Sequence, residues 1–299
     1  MSKLSNMDIP DYMYNWMINY FNERKHITMF GGDKSTELSI SASVVQGSAL
    51  GPAAFIITAS DLHPVHSNNK QAKYADDMYL IVGSAQYHTI AEELDHVATW
   101  AAENNLRLNP NKTKEMIVVK RGSKTAFPPP TPGIERVTSL KVLGVTLQSD
   151  LKMEAHITEV LASCSSSLYA LRVLRNHGLP PSSLHEVARA STMARLMCAS
   201  PAWWGYASEG ERDRLEGFIR KTKRFGYLPL TAPTAEVMGD RADDGLFRAV
   251  RSNPSHVLHA LLPATRSHEH NLRPRPHSFI LPEKDTKNFI PRMLYKNIY

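Results

Sequence analysis

The sequence predicts an α+β chain, with antiparallel hairpins among helices in its first half and helices over most of the second. Three observations predict it. Met78 to Val82 is a short apolar run behind Tyr74-Ala75-Asp76-Asp77 and the polar residues Asn68, Asn69 and Lys70, the layout of a hairpin strand after a tight turn. Ile90, Leu94, Val97, Ala98 and Ala101 recur at helical spacing. The same period returns at Ile157, Val160, Leu161, Leu168, Leu171 and Leu174, and Gly178-Leu179-Pro180-Pro181 ends it.

In chain order, Asp8-Ile9-Pro10-Asp11 opens a helix with Pro10 near its first turn and Met13, Trp16, Met17, Tyr20 and Phe21 at helical spacing. A hairpin is expected near Ile27 to Ser41. Val44-Val45-Gln46-Gly47-Ser48-Ala49-Leu50-Gly51-Pro52 reads as a turn opening a buried helix at Ala53 to Ile57. There Gly47 and Gly51 permit conformations and close approaches that a Cβ bars, Pro52 suits a first helical position, and Ser48 or Ser43 supplies a cap. After the aspartate hairpin and a helix from Ile90 to Asn104, the run Asn105 to Glu115 leads into a strand from Met116 to Val119. A Pro-rich link, Phe127 to Gly133, precedes Leu140 to Leu147 and the long helical region. From Pro229 onward Pro and polar residues increase, which predicts short helices at Leu246 to Val250 and Ser255 to Leu262 and an irregular, partly mobile tail. Three regions are expected: 1–124, 125–228 and 229–299.

At 299 residues and 42% hydrophobic, the chain has enough apolar mass for a substantial core. A net charge of +6 favours an anionic partner. Arg220-Lys221-Thr222-Lys223-Arg224 ends a helix that begins near Glu209, where phosphate contact and simple complementation of the helix dipole are both open readings. The nearby and C-terminal aromatics Phe225, Tyr227, Phe279, Phe289, Tyr295 and Tyr299 suit base stacking or a core, and the core is the commoner use. Cys164 and Cys198, without Cys-x-x-Cys spacing, read as buried core residues of an intracellular protein. The first residues lack the apolar stretch of a signal peptide, and no apolar run has a membrane-spanning length. His256 and His259, with His268 and His270 beyond, have no cysteine pair nearby and read as ordinary positions rather than zinc ligands.

The chemistry concentrates at Asp76 and Asp77. Along a straight strand consecutive side chains point to opposite faces, whereas a bend lets two adjacent carboxylates approach one cation. Hard oxygen donors of this kind suit magnesium. Two such ions, about 3.5–4 Å apart, clamp the attacking and leaving oxygens of a phosphoryl transfer. Asp-Asp pairs are also common surface turns. Ala242-Asp243-Asp244-Gly245, a second Ala-Asp-Asp, lacks the flanking context and reads as the N-terminal end of a helix through Leu246, Phe247 and Val250.

Gln46-Gly47-Ser48-x-x-Gly51-Pro52, a helix and a loop, then Tyr74-Ala75-Asp76-Asp77 together resemble the palm of reverse transcriptases, in particular the non-LTR (LINE-type, jockey-like) retrotransposon enzymes. Asn105 to Glu115, Leu140 to Leu147 and Ala199 to Gly205 extend the likeness. The resemblance implies a partial polymerase palm, an antiparallel sheet with covering helices, followed by a helical thumb and an irregular C-terminal region. It implies RNA-directed DNA synthesis with an RNA template, a DNA primer, deoxynucleotides and a two-ion Mg2+ site. Asp76 and Asp77 would be the catalytic metal ligands, and Lys112 would contact or protonate the leaving group. Gln46, Gly47, Ser48, Gly51 and Pro52 would shape the substrate pocket, with Tyr74 beside the primer terminus. Leu143 and Gly144 would contact the primer, and Arg220, Lys221, Lys223 and Arg224 the nucleic acid. The family's first palm carboxylate has no counterpart here: of Asp8, Asp11, Glu23, Asp33 and Glu37, none follows an apolar strand. The expectation is therefore an N-terminally shortened polymerase segment, inactive alone, with a non-catalytic nucleic-acid-binding remnant as the alternative.

Overall fold

The computed structural model describes residues 2–40, 47–119, 127–266, 277–296 and 298. The chain divides into two compact units, residues 1–115 with 128–135, and residues 116–127 with 136–299.

In the first unit, the helix Asp11–Phe21 forms as expected after Pro10. The expected hairpin is a pair of nested ladders, Lys25–His26 with Leu38–Ser39 and Met29–Phe30 with Asp33–Lys34, turning at Gly31 and Gly32. Helix Gly51–Thr58 follows, then the hairpin Lys70–Tyr74/Asp77–Ile81, and helix Ile90–Glu103. Among the described residues the expected antiparallel pairing takes the form of separate two-stranded ladders. Lys70, Gln71 and Lys73 leave the first aspartate-hairpin strand without an apolar row to lay against a sheet, and all but Gln71 of that strand is exposed.

Polar anchors hold much of this unit. Lys3 Nζ donates to the Thr58 carbonyl (2.6 Å), Asp61 Oδ1 (2.7 Å) and Asn104 Oδ1 (2.9 Å). Val97 and Ala101 are buried as the periodicity predicts, but Ala98 is exposed, and the third buried residue of that helix is Glu93. Helix Gly51–Thr58 has no buried residue, against the expectation of a buried helix; Ile56 is 67% exposed. It is apolar on every side, and packing against the short helix Ser2–Ser5 covers only part of it.

The second unit has a continuous apolar core. Hairpin Ser139–Val142/Val145–Gln148 feeds Val145 and Leu147 into it, and helix Glu154–Asn176 adds Ile157, Cys164, Leu168 and Leu171, at successive steps of seven, four and three residues along one face. Leu174, expected on the same face, is exposed because it sits in the last turn. Pro181–Val187 continues through a π-helical segment, Ala188–Met193, into Ala194–Leu196. Trp203 and Trp204 are buried, in edge contact with each other. Helix Glu209–Arg224 starts with a capping box, in which Ser208 N donates to Glu211 Oε2 (2.7 Å) and Glu211 N to Ser208 Oγ (3.4 Å). Leu215, Phe218, Ile219 and Thr222 are its buried residues.

Several expectations change in this unit. Met116 to Val119 is not a strand, and Val119 N donates instead to the Ser149 carbonyl; the short strand Lys114–Glu115 precedes it, at the end of the first unit's run 1–115. Cys198 is exposed, while burial pushes the Cys164 thiol up to about 11. Beyond Pro229 the expected short helix at Leu246 to Val250 is part of a long one, Ala235–Ser252, capped by Thr234. It starts eleven residues before Leu246, because the Thr234 cap sets its origin. Asp243 and Asp244 are therefore mid-helix rather than at a helix start. Asp243 is buried and paired with Arg292 of helix Phe289–Tyr295, and Lys296 bonds Asp240 (3.2 Å) and Asp244 (2.8 Å). Phe247, Met293 and Leu294 form a second small cluster with Phe279 and Phe289, a packing role for these aromatics. Ser255 to Leu262 is turns with a short 3-10 helix, His259–Leu261, in which His256 Nδ1 accepts from Leu258 N (3.1 Å) and His259 Nδ1 meets the Val250 carbonyl (2.8 Å). His268, His270 and Tyr299 lie outside the described residues.

Candidate functional site

The aspartates sit at a two-residue hairpin tip. Tyr74 pairs with Asp77, leaving Ala75 and Asp76 as the turn, and Ala75 has φ +49°. A positive φ at the first central residue is what a primed hairpin turn requires, and glycine is its usual occupant. An alanine there carries strain on the order of 1 kcal/mol. Asp76 and Asp77 are both exposed, and Tyr79 Oη lies 3.4 Å from Asp77 Oδ2. Behind the tip, Lys73 Nζ donates to the carbonyls of Ala59 (2.5 Å) and Leu62 (2.7 Å), tying the hairpin to the end of helix Gly51–Thr58. Desolvation there, with Lys3 nearby, holds the Lys73 pKa below the usual lysine value despite the attraction of Asp61.

A second clamp holds the segment that enters the hairpin. Glu93 accepts from Val65 N (3.0 Å), His66 N (2.9 Å) and Asn69 Nδ2 (2.8 Å), one residue before the first strand. Burial pushes the Glu93 carboxyl up, but these donors outweigh it and hold its pKa below the usual range. Sequence reasoning missed Glu93. The available signal was a carboxylate on the inward side of a helix, where periodicity expects an apolar residue.

Of the other sequence-derived positions in this unit, Gln46 lies outside the described residues. Gly47 has φ +81°, the left-handed backbone that calls for glycine. Ser48 Oγ accepts from Gly51 N (3.0 Å), at the start of the helix that carries Pro52 in its first turn. Tyr74 is 65% exposed. Lys112 is exposed in a turn closed by Lys112 N to the Asn109 carbonyl (3.1 Å), and among the described residues no hydrogen bond or ion pair joins it to either aspartate. In the second unit Leu143 (φ +47°) and Gly144 (φ +87°) form the exposed tip of their hairpin, both in the left-handed region of a type I′ turn. Arg220, Lys221 and Arg224 are exposed on helix Glu209–Arg224. Lys223 differs: its Nζ turns inward and donates to the Ala232 carbonyl (2.6 Å).

Residues 1–147 match the family described as reverse transcriptase (RNA-dependent DNA polymerase). The chain is also similar to three Drosophila melanogaster proteins. It is 26% identical over 235 residues to the probable RNA-directed DNA polymerase from transposon BS, covering 72% of this chain and 25% of that protein. It is 30% identical over 164 residues to the RNA-directed DNA polymerase from mobile element jockey, covering 50% and 18% respectively. The probable RNA-directed DNA polymerase from transposon X-element is 24% identical over 237 residues, covering 73% and 25%. The chain thus spans a quarter or less of these relatives' length. No solved structure matches it. Residues 1–147 are thus similar to the reverse transcriptases. Together with these relatives, the match supports the LINE type, the enzymes of non-LTR retrotransposons.

The family generally uses divalent metal ions. Asp76 and Asp77 fit such an ion in chemistry, being two exposed hard-oxygen donors on an anchored turn. Among the described residues no three His, Cys, Asp or Glu side chains group into a fuller ligand set. No helix among them is long and apolar enough to cross a membrane.

Proposed function

We propose that residues 1–124 form part of the palm of an RNA-directed DNA polymerase and that residues 125–228 form its palm-thumb border and helical thumb. The observation that carries this reading is the anchored hairpin tip, which presents two adjacent carboxylates within the segment that matches the reverse-transcriptase family. In this reading Asp76 is the principal ligand and Asp77 its partner in holding Mg2+. The bound ions would activate the primer 3′-hydroxyl and neutralise the departing pyrophosphate. Tyr74 packs beside the primer end. Gln46, Gly47, Ser48, Gly51 and Pro52 border the deoxynucleotide and template pocket, Lys112 donates toward the leaving group, and the Leu143-Gly144 tip supports the primer. Arg220, Lys221 and Arg224 contact phosphates; Lys223, committed to Ala232, is left out of this set.

A second reading, a nucleic-acid-binding protein without polymerase activity, is favoured by the two-carboxylate donor set. Primer extension on an RNA template with Mg2+ or Mn2+ separates the two. We expect no extension by this chain alone, and extension that disappears in Asp76→Asn would establish transfer by the hairpin. A ligand bound only by the folded state stabilises it by RT ln(1 + [L]/Kd). Millimolar Mg2+ should therefore raise the melting temperature of the wild type and raise it less in Asp77→Asn. An equal response in both proteins would remove Asp77 from the proposed metal pair.

A further inference from the structure

The last two turns of helix Glu209–Arg224 hold a groove of about 420 Å³ lined by Gly217, Arg220, Lys221 and Arg224, with no acidic residue on its wall. These positions lie three, four and seven residues after the glycine, the spacing of one helix face. Cations in a final turn complement the helix dipole, which accounts for Lys221 and Arg224. It does not account for Arg220, which lies before that turn and has no hydrogen-bond or ion-pair partner among the described residues. Nor does it account for Gly217. Glycine inside a helix is unfavourable, and a Cβ at this position would meet nothing within 4 Å, so internal packing does not require it. What the missing side chain leaves open is the floor of the groove. At the helix end Phe225 remains 39% exposed, with Lys221 Nζ at 5.9 Å and the Arg224 guanidinium at 5.6 Å from its ring centre.

We propose that this groove seats the sugar-phosphate backbone of a single-stranded nucleic acid, with Gly217 admitting it close to the helix and Phe225 stacking on one unpaired base. The inference rests on the nucleic-acid reading above and deepens it. Three cations on one side supply phosphate contacts without base preference, and an exposed ring beside them selects strands whose bases are free to stack.

The test is fluorescence anisotropy of the full chain with a labelled oligothymidine of about 12 nucleotides, a length within the usual single-strand site size, and with a duplex of equal length. Gly217→Leu fills the groove, keeps the charge and favours the helix, so the variant should fold; circular dichroism checks this. It should weaken single-strand binding about tenfold while leaving the salt slope unchanged. Arg220→Ala, Lys221→Ala and Arg224→Ala together should flatten the slope of log K against log salt by about two units, from about 0.7 per phosphate contact. Phe225→Leu should weaken the single strand about tenfold and spare the duplex. If the triple variant flattens the slope but Gly217→Leu binds as wild type, the basic helix end binds nucleic acid and the groove inference falls alone. Equal affinity for duplex and single strand also overturns it. If wild type binds neither probe, the inference and the nucleic-acid reading fall together.

Discussion

The first unit holds the aspartate hairpin and most of the family match, yet the second unit holds the continuous apolar core. The first is ordered around polar anchors: Lys3 gathers three oxygens, Lys73 two carbonyls, and Glu93 three N–H donors. The second is ordered by a helix that buries Ile157, Cys164, Leu168 and Leu171 against Leu184, Trp203 and Leu215. The difference teaches that the signature of a polymerase and the bulk of a stabilising core are separable. The signature is a matter of turn geometry and fixed donors, while the core depends on non-directional burial.

If that division holds, the largest effect belongs to the second unit. Trp203→Ala should cost about 3–5 kcal/mol by removing a fully buried ring, and urea denaturation followed by circular dichroism measures it. A loss below about 1 kcal/mol would show that this core carries little of the stability. Next, Asp243→Ala should cost on the order of 3 kcal/mol, because it strands the Arg292 guanidinium, itself only 16% exposed; the same denaturation reads it.

Within the first unit, Glu93→Ala should cost about 2 kcal/mol by leaving three donors without their acceptor. Its folded pKa is lowered, so its contribution is complete above the unfolded-state value and disappears as pH falls through the folded value. Protection of the Val65 and His66 amides, taken as exchange relative to the intrinsic rate at each pH, should therefore fall with acidification in wild type and be low at every pH in the variant. Protection that ignores pH would take the clamp away from the carboxylate. A smaller effect is expected at the tips: Ala75→Gly and Leu143→Gly should each stabilise by up to about 1 kcal/mol, by relieving a left-handed non-glycine. Destabilisation by either would place a side-chain contact above strain at that turn. Smallest of all, Trp16→Ser should change stability by less than about 0.5 kcal/mol, since its ring is 55% exposed.

The two kinds of order were unequally legible in the sequence. The helix Glu209–Arg224, the long helix through Leu171 and the Asp76 hairpin were readable because each is set by local spacing and local turn chemistry. Ala235–Ser252 was underestimated: Gly239 and Asp243 argue against a long helix locally, and tertiary partners override them. A Cβ on Gly239 would meet the Trp204 ring at 2.8 Å, and Asp243 is held by Arg292, 49 residues away. Glu93 stayed hidden for the same reason, its donors lying 24–28 residues upstream. In the candidate site, the turn carrying Asp76 and Asp77 was readable, whereas the engagement of Lys223 with Ala232 was not. A run of basic residues does not say which ammonium faces inward.

The tryptophans are divided between the units as well. Trp203 and Trp204 lie inside the second core, while Trp16 and Trp100 belong to the first unit, one exposed and one half-buried. Ring environment sets emission wavelength and access to quenchers, so the intrinsic fluorescence of this chain should contain a blue-shifted, acrylamide-resistant component from one unit and a red-shifted, quenchable one from the other. With no added label, a single denaturation series followed at two wavelengths would record whether the polymerase signature and the helical core melt together or in succession.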